Sequence, residues 1–344
     1  MVKQVAVIGS GVMGSEIAQV VAAAGSRVVV FDSDPAALER ARDHIRAIGE
    51  RRVAKQRMSA EEAEGLLARV SFETDADALG ACELAIEAVP EVFEIKQSVF
   101  RMLDDALPAD ALLASNTSGL SITDIARETR RPAQVFGLHF FNPASVMKLV
   151  EVVQGTDTAD ATVGTGEEFA SAIGKTPVRV RECPGFLVNR ILLRAMASAY
   201  AATPETEEAR AATDRAVSEL GPAPMGPFAL GDLIGLDTLE HIRADLEKAY
   251  GSRYADNGQT ASLVSEGRLG TKAGGGFFAN GAPEANVDSA AEAAMTKYYE
   301  SAADEAARCL DEGIAERGDI DVAMQLGCGW EFGPLKWSDG AQVS

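Results

Sequence analysis

Residues 4–34 read QVAVIGSGVMGSEIAQVVAAAGSRVVVFDSD, and this stretch decides the fold of the first half of the chain. Val5, Val7 and Ile8 mark a short buried strand, Ile17 to Ala24 a helix, and Val28 to Phe31 a second strand. Gly9, Gly11 and Gly14 lie at the turn between strand and helix. In such a turn the first glycine permits the tight bend, the second lets a pyrophosphate approach the backbone, and the third lets helix pack on strand. The helix N-terminus then presents its N–H groups to the anion. Asp32 closes the second strand. A carboxylate there accepts hydrogen bonds from the adenosine ribose and repels a 2′-phosphate, so the pattern predicts NAD rather than NADP.

Outward from this unit, residues 35–70 predict a helical insertion. Two helices meet near Met58-Ser59, with Ser59 and Glu62 as a capping box. Arg51, Arg52, Lys55 and Arg57 form a basic island there, either a solvated face paired with glutamates or an anchor for an anionic substrate handle. Alternation resumes with strand LAIEAV, a helix over Glu91–Leu107, strand ALLAS, a helix over Ile122–Thr129, strands VFGLHFF and KLVEVV, a helix over Ala161–Ile173 and strand TPVRVR. Residues 1–183 are thus expected to form an NAD-binding domain. From Pro184, placed where a helix start tolerates proline, the pattern is helical. Residues 184–288 read as a helical substrate or dimerisation domain and 289–344 as a partial second copy of it. Asp214, Gly226-Pro227 and Asp232 recur 107 residues later as Asp321, Gly333-Pro334 and Asp339. The second copy stops soon after Asp339 and is expected to pack against the first. The predicted fold class is an α/β Rossmann-type N-terminal domain with a helix-turn-helix insertion, then an all-α C-terminal domain and a partial helical repeat.

The chain has 344 residues, 47% of them hydrophobic, which suits two or three domains with substantial cores. No apolar run approaches the roughly 18 residues of a membrane span, and the apolar opening ends in a glycine turn without a cleavage pattern. Cys82, Cys183, Cys309 and Cys328 have no metal spacing and read as reduced thiols of a cytoplasmic protein, with no metal site. A net charge of −20 argues against nucleic acid as a partner. A halophilic source and ordinary solubility selection both fit that charge.

The segment GLHFFNPASVMKLVE, residues 137–151, places His139 and Glu151 on consecutive strand-like stretches joined at Asn142-Pro143. His139 alone reads as a core residue and Glu151 alone as a strand-edge charge. Antiparallel pairing would bring them into contact. An imidazole titrates near neutral pH and serves alcohol oxidation in both directions. A carboxylate on its other ring nitrogen fixes the tautomer and stabilises the imidazolium. Ser118 follows the strand carrying Asn116, at the carboxyl edge where open α/β sheets bind ligands. Ser118 reads equally as a cap for the helix near Ser121, and Asn189 as a partner of nearby backbone. His44 and His241 read as surface or structural residues.

Together VIGSGVMG, EAVPE, SNTSGLSI, GLHFFNP, VMKLVEVV, PGFLVNR, PMGPFALGDLIGLD and GTKAGGGFF resemble the L-3-hydroxyacyl-CoA dehydrogenases, in order, over residues 1 to about 280. The terminal half-repeat resembles the duplicated C-terminal domain of the family's larger multifunctional members. The resemblance implies an NAD-dependent enzyme that interconverts (S)-3-hydroxyacyl-CoA and 3-oxoacyl-CoA. It makes His139 the general base, Glu151 its orienting carboxylate, and Ser118 and Asn189 the groups bonded to the substrate oxygen, in a cleft between the domains. It assigns Gly9, Gly11, Gly14, Asp32, Glu91, Lys96, Asn116 and Asn142 to the cofactor cleft, and Lys55 with Arg52 to the CoA phosphates. It also implies a homodimer through the helical domain, a contact that the partial repeat imitates or obstructs. Gly119, Glu182-Cys183, Phe278 and Asn280 depart from the family pattern without removing a catalytic group. A dehydrogenase of a free hydroxy acid or sugar acid, a non-catalytic structural protein, and one part of a longer polypeptide with hydratase activity are the alternatives.

Overall fold

The apolar runs of the first half pair into one sheet. Its strands are β1 (Gln4–Ile8), β2 (Arg27–Phe31), β3 (Val70–Glu73), β4 (Leu84–Glu87), β5 (Leu112–Ser115), β6 (Val135–Phe140), β7 (Leu149–Gln154) and β8 (Thr176–Arg181). The structure is a computed structural model that describes residues 2–340. Met1 and residues 341–344, the outer ends of the first and last expected domains, lie outside the described residues. Among the described residues the spatial order is β3-β2-β1-β4-β5-β6-β7-β8. Neighbours run parallel except β6 and β7, which are antiparallel. Val5–Ile8 is almost wholly buried, as a parallel strand covered on both faces requires. The helices of this unit are α1 (Val12–Ala23), α2 (Pro35–Ala54), α3 (Ala60–Leu67), α4 (Phe93–Ala106), α5 (Ile122–Ala126) and α6 (Asp160–Ala172). Strand order reverses between β1 and β4, which opens a crevice beyond their carboxyl ends.

The chain divides into two compact units between Glu182 and Cys183. Two expectations need correction. The helical insertion ends at Leu67, and Val70 begins β3, a strand whose partner is β2 through Val28↔Val70. No helix starts at Pro184: residues 183–187 form a turn with Gly185 at φ +75° and Phe186 at φ +49°, and the helix begins at Val188. The predicted capping box is present, with Ser59 N–H donating to Glu62 at 2.7 Å and Glu62 N–H to Ser59 Oγ at 3.1 Å.

The second unit is helical: α7 (Val188–Ala202), α8 (Glu207–Leu220), α9 (Pro227–Ile234), α10 (Leu236–Tyr250), α11 (Gln259–Ser265), α12 (Ser289–Asp311), α13 (Arg317–Cys328) and α14 (Pro334–Ser338). The recurring residues perform one task twice. Asp214 on α8 accepts the Phe228 and Ala229 N–H groups at the start of α9, each at 2.8 Å. Asp321 on α13 accepts the Leu335 N–H of α14 at 2.9 Å. A Cβ on Gly226 would lie 2.2 Å from the Asp214 Cα, and one on Gly333 would lie 2.3 Å from the Asp321 Cα, so each approach requires glycine. The third pair diverges. Asp232 is buried and accepts the Phe277 and Phe278 N–H groups, whereas Asp339 forms an exposed ion pair with Arg317.

The half-repeat docks on the first copy through α12, which packs on α7, α8 and α14. At its centre Arg190 of α7, wholly buried, donates to Glu305 at 2.7 Å and to both oxygens of Glu312 at 2.7 and 3.0 Å. Its guanidinium also lies 4.3 Å from the Tyr250 ring centroid. Glu305→Ala removes the fully buried partner and leaves Arg190 the exposed Glu312. The variant is expected to lower unfolding free energy by about 1–3 kcal/mol, read from urea denaturation against the wild-type chain.

Candidate active site

Most of the residues expected at the site collect along one edge of the sheet, at the carboxyl ends of β1, β2, β4, β5 and β6. At β1, Gly9 adopts φ +96°, and a Cβ there would lie 2.8 Å from the Ala88 carbonyl oxygen just beyond β4. A Cβ on Gly14 would lie 1.9 Å from the Gly9 carbonyl oxygen. A Cβ on Gly11 would meet nothing within 4 Å. Helix α1 is preceded by Gly11, and among the described residues no side chain caps its N-terminal N–H groups. The turn is therefore closed where helix meets strand and open where a pyrophosphate would lie against backbone. Asp32, at the end of β2, accepts from Ser10 N–H at 2.9 Å, Ser10 Oγ at 2.7 Å and Asp34 N–H at 3.0 Å. Burial pushes its carboxyl up, but these bonds outweigh it and hold the group below the usual carboxylate range.

Beyond β4 and β5 a buried ion network fixes the next residues. Lys96 on α4 is 1% exposed and donates to Glu87 at 2.6 Å, and its ammonium lies 3.2 Å from Glu91. Ser115 donates to the other Glu87 oxygen at 2.6 Å. Lys96 is thus not an open cleft-lining side chain; it supports Glu91 from beneath. Glu91 in turn accepts from Thr117 Oγ1 and from Ser118, the latter at 3.0 Å through N–H and 3.3 Å through Oγ. Burial raises the Glu91 carboxyl, while Lys96 and these donors more than offset it and keep the group ionised. Asn116 accepts the Phe140 N–H at 2.8 Å and so ties the end of β5 to the end of β6. The cap of α5 is Ser121, which accepts from Asp124 N–H, and Ser118 does not fill that role.

On β6 and β7, His139 and Glu151 stand directly opposite in the antiparallel register. His139 Nδ1 lies 2.6 Å from Glu151 Oε2; the carboxylate is wholly buried and the ring 7% exposed. The Phe141 ring packs 4.6 Å from the imidazole, centroid to centroid. The connection over residues 141–148 is held at both ends by residues not singled out from sequence. Glu16 of α1 accepts the Ser145 N–H at 3.1 Å. Lys175 donates to the Ala144 and Met147 carbonyls, the second at 2.6 Å. Burial, helped by Lys148, pushes the Lys175 ammonium down to about 8. Glu16 is the legible one of the two, as a carboxylate inside an otherwise apolar helix face.

The 3-hydroxyacyl-CoA dehydrogenase NAD binding domain matches residues 4–183, and the C-terminal domain of the same family matches residues 185–280 and again 296–344. The chain belongs to the 3-hydroxyacyl-CoA dehydrogenase family. Membership brings NAD as cofactor and oxidoreductase chemistry. Among the relatives, the 3-hydroxyadipyl-CoA dehydrogenase of Escherichia coli K12 is 42% identical over 80% of this chain, which spans 59% of that protein's length. The 3-hydroxybutyryl-CoA dehydrogenase of Clostridioides difficile is 40% identical over 80% of this chain and 98% of its own. The crystal structure of 3-hydroxybutyryl-CoA dehydrogenase from Escherichia coli K12 superposes with a TM-score of 0.91 at 32% identity, covering 98% of this chain and 91% of that one.

In this family member the remaining expected residues are spread more widely. Asn142 is exposed in the connection after β6, at a cis bond to Pro143. Lys55 is exposed at the C-terminal end of α2, one turn beyond the half-buried Arg52. Neither these nor Arg51 and Arg57 make an ion pair among the described residues, so the paired-face reading of the basic island is not what the structure shows. Asn189 is the second residue of α7 in the helical unit and half-buried. His241 is exposed on α10 and His44 half-buried on α2. Glu182, one of the departures from the family pattern, accepts the Thr123 N–H of α5 at 3.1 Å. Among the described residues no group of His, Cys, Asp and Glu is arranged to hold a metal ion, and no helix is long and apolar enough to cross a membrane.

The glycine turn separates folding from cofactor binding. Gly11→Ala is expected to melt like wild type but to bind NADH at least about tenfold more weakly, a loss of roughly 1.4 kcal/mol. Gly14→Ala is expected to lose both stability and binding, because its Cβ has no room. Melting curves and NADH fluorescence titrations on the two variants check the contrast.

Proposed function

We propose that this protein oxidises (S)-3-hydroxyacyl-CoA to 3-oxoacyl-CoA reversibly, with His139 as general base and Glu151 as its orienting carboxylate. The observation that carries the reading is the buried 2.6 Å contact between the two, at the ligand-binding edge of an NAD-binding domain. Glu151 accepts from Nδ1, which directs Nε2 to the substrate hydroxyl proton. When Nε2 takes that proton, the buried carboxylate stabilises the imidazolium, and when the reaction reverses His139 returns it. Bound NAD supplies the hydride acceptor. Ser118, held by Glu91, and Asn189 donate to the substrate oxygen in this proposal. Gly9, Gly11, Gly14, Asp32, Glu91, Asn116 and Asn142 hold the cofactor, with Lys96 beneath.

The names of the relatives, 3-hydroxyadipyl-CoA and 3-hydroxybutyryl-CoA dehydrogenase, support a CoA thioester as substrate. So do Lys55 and Arg52, which make no ion pair among the described residues, although Glu62 lies within electrostatic reach of Arg52. Residues 1–183 are proposed as the cofactor domain, 184–288 as the helical substrate domain and 289–344 as its partial copy. Since α12 lies on α7 within one chain, the proposal favours the partial repeat as an obstruction to dimerisation through that helix. The absence of a disulfide among the described residues fits a reducing cytoplasm.

His139→Gln is expected to lower kcat for acetoacetyl-CoA reduction by about 10²–10⁴-fold while NADH still binds; wild-type turnover would refute the assigned base. Lys55→Ala with Arg52→Ala is expected to raise KM for acetoacetyl-CoA by about tenfold with kcat little changed. Steady-state assays against the free acid complete the test, and equal turnover of free acid and thioester would replace the CoA reading with that of a free hydroxy-acid dehydrogenase.

A further inference from the structure

Helices α7 and α12 and the turn at Ser252–Tyr254 surround an open cavity of about 310 Å³ that lies wholly within the helical unit. Its polar wall consists of Arg194 and Ser198 from α7, Ser252 and Arg253 from the turn, and Lys297 and Ser301 from α12. Three cations and three hydroxyls converge there in a chain of net charge −20. Like charges gathered without counter-charges repel one another, so their clustering calls for an anion.

The carboxylates nearby are already committed. Glu305 is shared between Arg190 and Arg253, at 2.7 and 3.1 Å. Asp304 pairs with Arg308 at 3.1 Å. Arg253 is therefore partly neutralised, but Arg194 and Lys297 make no ion pair among the described residues. Arg194 Nε is moreover buried without a hydrogen-bond partner. A buried guanidinium N–H is rarely left in that state. Burial, with Arg253 adding repulsion, disfavours the charged form of Arg194, and the surrounding acidic groups do not reverse this.

We propose that this cavity is a binding site for a phosphate-type polyanion, held by Arg194 and Lys297 with Arg253 and the serine hydroxyls. Guanidinium forks and an ammonium suit oxyanions, and the Ser252 and Ser301 hydroxyls supply donors in further directions, as a tetrahedral group with several oxygens requires, while the Ser198 hydroxyl already donates to the Ala195 carbonyl at 2.7 Å. A planar carboxylate would leave part of that donor set unused. The site shares no residue with the dehydrogenase machinery proposed above and does not depend on that assignment.

The test uses the full chain saturated with NAD, so that the glycine turn is filled, and titrates inorganic pyrophosphate at fixed ionic strength by calorimetry. Wild type should show a saturable site that Arg194→Gln weakens by at least about tenfold. Lys297→Gln, a change at an exposed position, should weaken it by a smaller factor, and the double variant should abolish it while NADH binding is retained. Absence of saturable binding in wild type overturns the proposal, as does an isotherm unchanged in the double variant. If Arg194→Gln does not fold, the Lys297→Gln result decides alone. Malonate binding as tight as pyrophosphate and lost with the same substitutions would overturn the phosphate assignment.

Discussion

The reversal of strand direction between β6 and β7 is the constraint on which the site depends. Had β7 continued parallel to β6, a crossover of a dozen or more residues would have been needed, and Glu151 could not face His139 across the strand pair. Directly opposed residues of an antiparallel pair project on the same face. The register therefore places a wholly buried carboxylate against an imidazole near the carboxyl end of β6. A buried carboxylate without a hydrogen-bonding partner is costly, so Glu151 holds the ring as firmly as the ring satisfies Glu151. Glu16 and Lys175, arriving from α1 and from the residue before β8, pin the connection and keep the two strands in that register.

Much of this was legible in the sequence, because it depends on local rules. The glycine turn, Asp32, and the sequence of strands and helices around them follow from spacing and apolar runs. The pairing of His139 with Glu151 follows from two adjacent strands and a short connection. What escaped reading depends on contacts distant in the chain. The edge strand β3 is only Val70–Glu73 and half-buried, so the helical pattern before it masked its start. The resemblance puts Lys96 in the cofactor cleft; only the fold shows that Glu87, within an apolar strand, draws it inside. The turn at Gly185-Phe186 displaced the helix start that Pro184 suggested: Gly185 readily takes a positive φ, and Phe186 takes one as well with its side chain buried.

The helical unit uses one joint twice. An aspartate on one helix caps the next, and a glycine before a proline lets the two backbones approach. Sequence shows the recurrence, yet the third aspartate has a different fate in each copy. Asp232 anchors the Phe277-Phe278 backbone, whereas Asp339 turns to solvent and Arg317. The partial copy packs on the first through α12, where Arg190 meets Glu305 and Glu312.

Side chains alternate faces along a strand, so one residue added to or lost from β6 or β7 would turn His139 or Glu151 to the opposite side of the sheet. Two residues would restore the face but slide the partners a full repeat apart. The connection has little slack either, with Ser145 held by α1 and Ala144 and Met147 held by Lys175. Across Gly137–Glu151, then, one amino acid can be exchanged for another, but the number of residues between His139 and Glu151 is fixed by the pairing of their strands.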